Sequence, residues 1–165
     1  MTNATQTTVQ VHRIYINAPA QKVWDAITDP SWNGRYGYHA PSQYDLKPGG
    51  LYSVPSTAEM QAQGAPEVLI DGEVLESDPP TRLVQTWRAF FTPETAAEGF
   101  TRLTWDLEEE RPGVTRLTVT HDVENAPNVA AATTSDAKLH EGGGGWAWIL
   151  SDLKTLLETG QATQD

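Results

Sequence analysis

The chain has no cysteine, so any chemistry it performs must come from its four histidines, its acids and a large stock of rings: six Trp, five Tyr and three Phe. Disulfides, thiolate catalysis and Cys-based zinc sites are thereby excluded. The histidines are His12, His39, His121 and His140. No two of them stand at a helical metal-binding spacing and no H-E-x-x-H string occurs, so no metal is expected. His121-Asp122 closes a predicted strand, and His140-Glu141 precedes the last predicted helix. A fold that joined the two pairs would create a carboxylate-oriented base or a metal site. A hydrogen-bonded structural histidine explains the same residue, as does an inward polar group on a pocket wall. His121 is the candidate catalytic residue if the chain is an enzyme.

The rings point to binding. Trp32, Tyr36, Tyr38, Tyr52, Trp87, Trp105, Trp146 and Trp148, with His121, are candidate ligand-binding residues. Rings with a polar edge can enclose a flat or apolar molecule while Tyr O–H and Trp N–H groups orient it. Core packing is the competing explanation, most of all for Trp24 and Trp146. Tyr36, Tyr38 and Trp148 fall in loops or off the apolar faces.

Other patterns carry less. Glu73 and Glu76 are three apart on a predicted strand, which sends them to opposite faces and prevents a carboxylate pair. Asp106 and Glu108 share a face, the one opposite Leu103, Trp105 and Leu107, so they are expected in solvent. Gly142 to Gly145 precede a helix as phosphate loops do, but the Lys-Ser/Thr of a P-loop is missing. No G-x-S-x-G supports a serine hydrolase. No cofactor is expected.

These residues need a frame. Val9 to Ile16 is rich in β-branched and aromatic residues and predicts a strand. Gln21 to Thr28 predicts a short amphipathic helix, entered at Pro19 with Asn17 available as a cap and ended by Asp29-Pro30. Pro30 to Tyr38 predicts a second helical turn or a loop. Six strands follow: Gln43 to Leu46, Leu51 to Ser56, Val68 to Glu76, Thr81 to Ala89, Phe100 to Glu108 and Val114 to Asp122. Their separators include a Gln- and Ala-rich loop at Ala58 to Pro66 and the stretch Thr92 to Gly99, and the short ones, Pro48-Gly49-Gly50, Asp78-Pro79-Pro80 and Arg111-Pro112-Gly113, fit antiparallel hairpins. Glu124 to His140 predicts a loop or weak helix.

The chain then ends in an amphipathic helix, Trp146 to Glu158, roughly 20 Å long at about 1.5 Å per residue. Trp146, Ile149, Leu150, Leu153, Leu156 and Leu157 form one face; Ser151, Asp152, Lys154, Thr155 and Glu158 form the other. Four glycines give it a flexible lead-in, and Gly160 offers a left-handed stop. Strands in series with segregated helices predict an α+β domain, one antiparallel sheet covered by helices, spanning residues 9–160. A sheet that curves around the last helix leaves a cavity between them.

Eleven basic against twenty-two acidic residues give a net charge of −11, which opposes binding to nucleic acid or to an anionic membrane. No apolar run reaches the roughly 18 residues of a membrane span. The first ten residues lack a signal-peptide pattern, so a cytoplasmic location is expected.

The strings Ile16-Asn17-Ala18-Pro19 and Val23-Trp24-Asp25-Ala26-Ile27-Thr28-Asp29-Pro30 resemble the opening of START-like (SRPBCC) domains of the Hsp90-ATPase-activator-homologue type. Pro48-Gly49-Gly50, Gly72 to Glu76 running into Pro79-Pro80, Arg82 to Trp87, and Thr115 to His121 are similar to that family in the same order. So are Gly145-Trp146, Leu153-Lys154 and Leu157 to Gly160. The resemblance implies a helix-grip fold, a curved antiparallel sheet gripping a C-terminal helix around an apolar cavity. Its members include lipid and hormone binders, polyketide aromatase/cyclases and stress-related co-chaperones. The eukaryotic co-chaperones carry a further Hsp90-binding domain, for which 165 residues leave no room. The expected partner is therefore an apolar or aromatic small molecule. The alternatives are a cavity enzyme of the cyclase, dehydratase or hydrolase type and a ligand-free interaction module; a homodimer is compatible with all three.

Overall fold

A computed structural model describes residues 8–163. The leader-free start expected from the first residues falls, up to Thr7, outside the described residues. Seven strands form one antiparallel sheet in the order β1-β7-β6-β5-β4-β3-β2. They are β1 (Val9–Ile16), β2 (Gln43–Tyr44), β3 (Leu51–Pro55), β4 (Val68–Asp78), β5 (Arg82–Ala89), β6 (Thr101–Arg111) and β7 (Val114–Asp122). The helices are α1 (Ala20–Thr28), α2 (Pro30–Asn33), α3 (Ala58–Ala62), α4 (Pro93–Ala97), α5 (Pro127–Thr133) and α6 (Gly145–Thr159). None of the described helices is long and apolar enough to cross a membrane.

Strand alternation sets the core. Leu103, Trp105 and Leu107 of β6 and Leu117, Val119 and His121 of β7 are all buried, and their partners across the ladder include Leu103↔His121 and Leu107↔Leu117. Register shifts at Val54/Pro55, Val74/Glu76 and Glu109/Arg111 bend the strands, since an extra residue on one strand increases local twist. The sheet thus wraps α6, whose Trp146, Leu150, Leu153 and Leu156 are buried. This is the helix-grip arrangement.

Several local expectations are corrected. The loops expected at Ala58 to Pro66 and Thr92 to Gly99 contain α3 and α4, each started by a threonine whose hydroxyl accepts a backbone N–H: Thr57 from Met60 and Thr92 from Thr95. Asn17 does not cap α1; its backbone N–H donates to Glu158 instead. Glu73 and Glu76 are both exposed, because the irregularity between Val74 and Glu76 absorbs one residue of the alternation. They still form no pair, for Glu76 meets Arg82 at 3.2 Å. Asp106 and Glu108 face outward as expected and bind Arg82 and Arg116.

Two corrections concern α6. Asp152, placed on the polar face by spacing, has no exposure; its carboxylate accepts the N–H of Gly37 at 2.8 Å and of Thr163 at 2.6 Å. The glycine lead-in is packed, not loose. A Cβ on Gly143 would lie 1.9 Å from the Ala137 carbonyl oxygen, and one on Gly145 would lie 2.0 Å from that of Thr133. Only a residue without a side chain lets backbone cross backbone this closely. Gly160 ends the helix as expected, at φ 86° with its N–H donating to Leu156.

Candidate functional site

Between the sheet and α6 lies a cavity of about 510 Å³, a size typical of small-molecule sites. Tyr52 and Val54 of β3, Trp87 of β5 and Trp105 of β6 form its sheet wall. Trp146 and Ile149 of α6 form the opposite wall, with Tyr36 and Tyr38 from the segment after α2. Thr133, Ser135 and Gly142 come from the stretch between β7 and α6, so that region borders the cavity. Of the lining residues, Phe91 and Gly142 are exposed and mark the rim.

The tyrosines share the wall but differ in duty. Tyr36 donates its hydroxyl to the Ala26 carbonyl at 2.9 Å. Tyr38 donates to the Gly143 carbonyl at 2.8 Å and accepts the Gly145 N–H at 3.0 Å, which fixes the start of α6. Tyr44 stacks at 4.6 Å on Tyr52 and donates to Gln85 Oε1 at 2.7 Å. Burial pushes the Tyr52 phenol up to about 12 and raises Tyr36, Tyr38 and Tyr44 as well. All four stay protonated at neutral pH.

Gln85 lies two residues from Trp87 on the inward face of β5 and has no exposure. Its Oε1 also accepts the Trp105 indole N–H at 3.2 Å. Its Nε2 is buried without a partner among the described residues. Such an unmet donor costs about 1–3 kcal/mol.

His121 is not a base facing the cavity. It is fully buried and absent from the lining, while Trp87 and Trp146, which do line it, pack edge-on against the imidazole at 4.9 and 5.8 Å. The Trp146 indole, a donor only, gives its N–H to Nδ1 at 3.1 Å. Nε2 lies 2.8 Å from the Thr101 hydroxyl, which itself donates to the Trp87 carbonyl. The chain of donors leaves one tautomer: Nδ1 bare, Nε2 carrying the proton. Burial first, then the charge of His12, lowers the imidazole to about 4 against a small opposing pull from Asp122. His121 thus accepts the Trp146 N–H and holds that ring against the cavity, and its lowered proton affinity leaves it neutral at pH 7. His140 is exposed on a short turn, Leu139–Glu141, and is no partner of His121. Among the described residues no three His, Cys, Asp or Glu stand close enough to hold a metal ion.

Of the nine ring candidates, Tyr36, Tyr38, Tyr52, Trp87, Trp105 and Trp146 line the cavity; His121, Trp32 and Trp148 do not. Trp32 is half-buried under the Arg35 guanidinium, 4.7 Å from its ring centre. Trp148 is two residues from Trp146, about 200° around the helix, and rests near Gly144. Sequence reasoning missed Tyr44, which lines the cavity, and Gln85, which lies behind the wall and bonds to Tyr44 and Trp105. Tyr44 falls in the strand expected at Gln43 to Leu46, which forms over Gln43–Tyr44 alone, too short for alternation to show which way the ring points, whereas Gln85 was legible as the one polar residue in the inward series Leu83-Gln85-Trp87.

Among the described residues, no carboxylate, imidazole, amine or guanidinium lines the cavity. It can enclose an uncharged molecule, stack rings against it and offer neutral hydrogen bonds.

The comparisons with known proteins agree with the architecture. The family model for activator of Hsp90 ATPase homolog 1-like protein matches residues 17–158. No curated protein matches. CalU16 from Micromonospora echinospora superposes with a TM-score of 0.61 at 22% identity, over 94% of this chain and 76% of that one. DynU16, described as a protein in the dynemicin biosynthetic locus, gives a TM-score of 0.66 at 21% identity, over 97% of this chain and 51% of that one. PFC0360w, described as an HSP90 activator from Plasmodium falciparum, gives a TM-score of 0.55 at 21% identity, over 94% and 90%. At such identities the likeness carries the fold alone.

Proposed function

We propose, for a chain that belongs to the activator of Hsp90 ATPase homolog 1-like family, that it binds an uncharged apolar or aromatic small molecule between its sheet and its C-terminal helix. The observation that carries this reading is the cavity itself: about 510 Å³ left unfilled where a structural domain would close its core. Its wall of Trp and Tyr rings suits a flat ligand. Among the described residues no charged group lines it, which disfavours an acid or a phosphate, since either would be buried without a counter-charge.

Binding is favoured over catalysis because the imidazole best suited to act as a base is sealed behind Trp87 and Trp146. It is favoured over a ligand-free interaction module because the interior is not collapsed. The fold relatives do not choose, since one is placed in a biosynthetic locus and another is an HSP90 activator.

Trp87, Trp105 and Trp146 make the test direct, because all three line the cavity. Tryptophan fluorescence should show saturable, one-site changes with at least one class among lipids, aromatic polyketides and flavonoid-like compounds. A flat response to all of them would remove the proposal.

A further inference from the structure

Two polar groups on the sheet wall of the cavity, the Tyr52 hydroxyl and the Trp87 indole N–H, make no full hydrogen bond to any described residue. The polar atoms that are unpartnered and also sealed inside the protein are His12 Nε2, Ser77 Oγ and Gln85 Nε2. Tyr52 Oη and Trp87 Nε1 are not sealed. Their residues are 5% and 4% exposed, and both line the cavity, so the opening they keep is onto that space.

The sheet brings the two groups together. Tyr52 on β3 pairs with Gly72 on β4, where a Cβ would lie 2.0 Å from the Thr86 carbonyl oxygen of β5. A residue without a side chain lets the strands close up at this point. Trp87 of β5 and Ser42 then stand beside the Tyr52 oxygen, near enough to oppose the upward push of burial on its phenol, though neither reaches hydrogen-bond geometry.

Both groups present hydrogens. An indole only donates. The Tyr52 hydrogen finds no acceptor in the neighbouring Gln85 amide, whose oxygen already accepts from Tyr44 at 2.7 Å and Trp105 at 3.2 Å. Buried donors in folded proteins are almost always met, so two left unmet on a cavity wall call for an acceptor brought in from outside. No cationic side chain among the described residues lines the cavity, so that acceptor is neutral. A carbonyl oxygen has two lone pairs for two donors, whereas an alcohol brings a further hydrogen to place.

We infer that Tyr52 Oη and Trp87 Nε1 form a paired donor site for the carbonyl oxygen of a neutral, largely apolar ligand. This rests on the ligand-binding reading above and narrows it to a chemical class.

Three probes of nearly one shape test it by calorimetric titration of the intact chain: 2-ethylnaphthalene, 2-acetylnaphthalene and 2-naphthoate. The ketone should bind about tenfold more tightly than the hydrocarbon, the yield of one well-made buried hydrogen bond, and the carboxylate more weakly than either. Tyr52→Phe removes a hydroxyl that holds no described residue, so its melting temperature should match the wild type. In that variant the ketone's advantage should fall to about threefold or less, with the hydrocarbon bound as before. Should the variant fail to fold, the wild-type protein still decides the matter. In a 15N-labelled sample the Trp87 indole proton should move further downfield with the ketone than with the hydrocarbon, since both bring the same ring. Equal affinities for these two, tightest binding by the carboxylate, or an indole proton that does not tell them apart would overturn the paired site and leave the cavity reading intact. Failure of both neutral probes to bind would overturn it as well, and the cavity reading would fall with it only if the fluorescence screen is also flat.

Discussion

Burial among indole and hydroxyl partners takes the His121 imidazole out of its usual titration range. Its folded value is depressed to about 4, while in the unfolded chain it titrates near 6.5. Well above pH 6.5 both states are neutral and the full stability is present. As pH falls toward 4 the unfolded chain takes up a proton that the folded one refuses, so stability declines, by up to about 3 kcal/mol in all. Urea unfolding at pH 7, 6, 5 and 4.5 should show this slope, and His121→Leu should flatten it. The same variant should lower stability at pH 7 by about 1–3 kcal/mol, since the buried Trp146 N–H loses its acceptor while the Thr101 hydroxyl keeps the Trp87 carbonyl. An unchanged pH slope in the variant would show that His121 is not the titrating group. At this scale the sequence said only half: alternation through Leu117, Val119 and His121 pointed the ring inward, but its bond to Trp146 lies 25 residues away and has no local signature.

Elements were legible where their periodicity was regular and misread where one residue type serves two purposes. Strand alternation in β6 and β7 and the three- and four-residue spacing in α6 are local, so they appear directly in the chain. The parity of Glu73 and Glu76 failed because a bulge depends on how β4 meets β5, not on β4 alone. The glycine run failed because absence of a side chain permits both freedom and close contact. Gly143→Ala separates these. Were the segment loose, alanine would leave stability unchanged or raise it by about 0.4–1 kcal/mol. With Ala137 and its carbonyl in the way, the expected outcome is a loss of more than about 2 kcal/mol, read from thermal or urea unfolding. Tyr38, which donates to Gly143 and accepts from Gly145, would lose its seat in the same variant, so ligand affinity should fall with stability.

The molecule as a whole gives up packing to keep a void. The sequence carried the fold almost entire, because an inward stripe on every long strand and a one-sided final helix admit few arrangements. It led to the expectation of a cavity under the last helix without deciding which rings would line it, since the same Trp and Tyr residues would fill a closed core equally well; only their spacing in three dimensions separates the two. Val54, buried on β3 with its side chain on the cavity wall, offers a test of the void as such. In a closed core Val54→Phe would overpack and cost about 1–3 kcal/mol. Against an empty cavity the added ring buries apolar surface without displacing its neighbours, so stability should hold or rise by about 0.5–2 kcal/mol. Binding of any ligand found by the tryptophan-fluorescence screen should be lost, because the ring occupies the space that the ligand would take. A gain in stability paired with a loss of binding is the mark of a core left open for a ligand, and a loss of both would mean that the interior has no room to give.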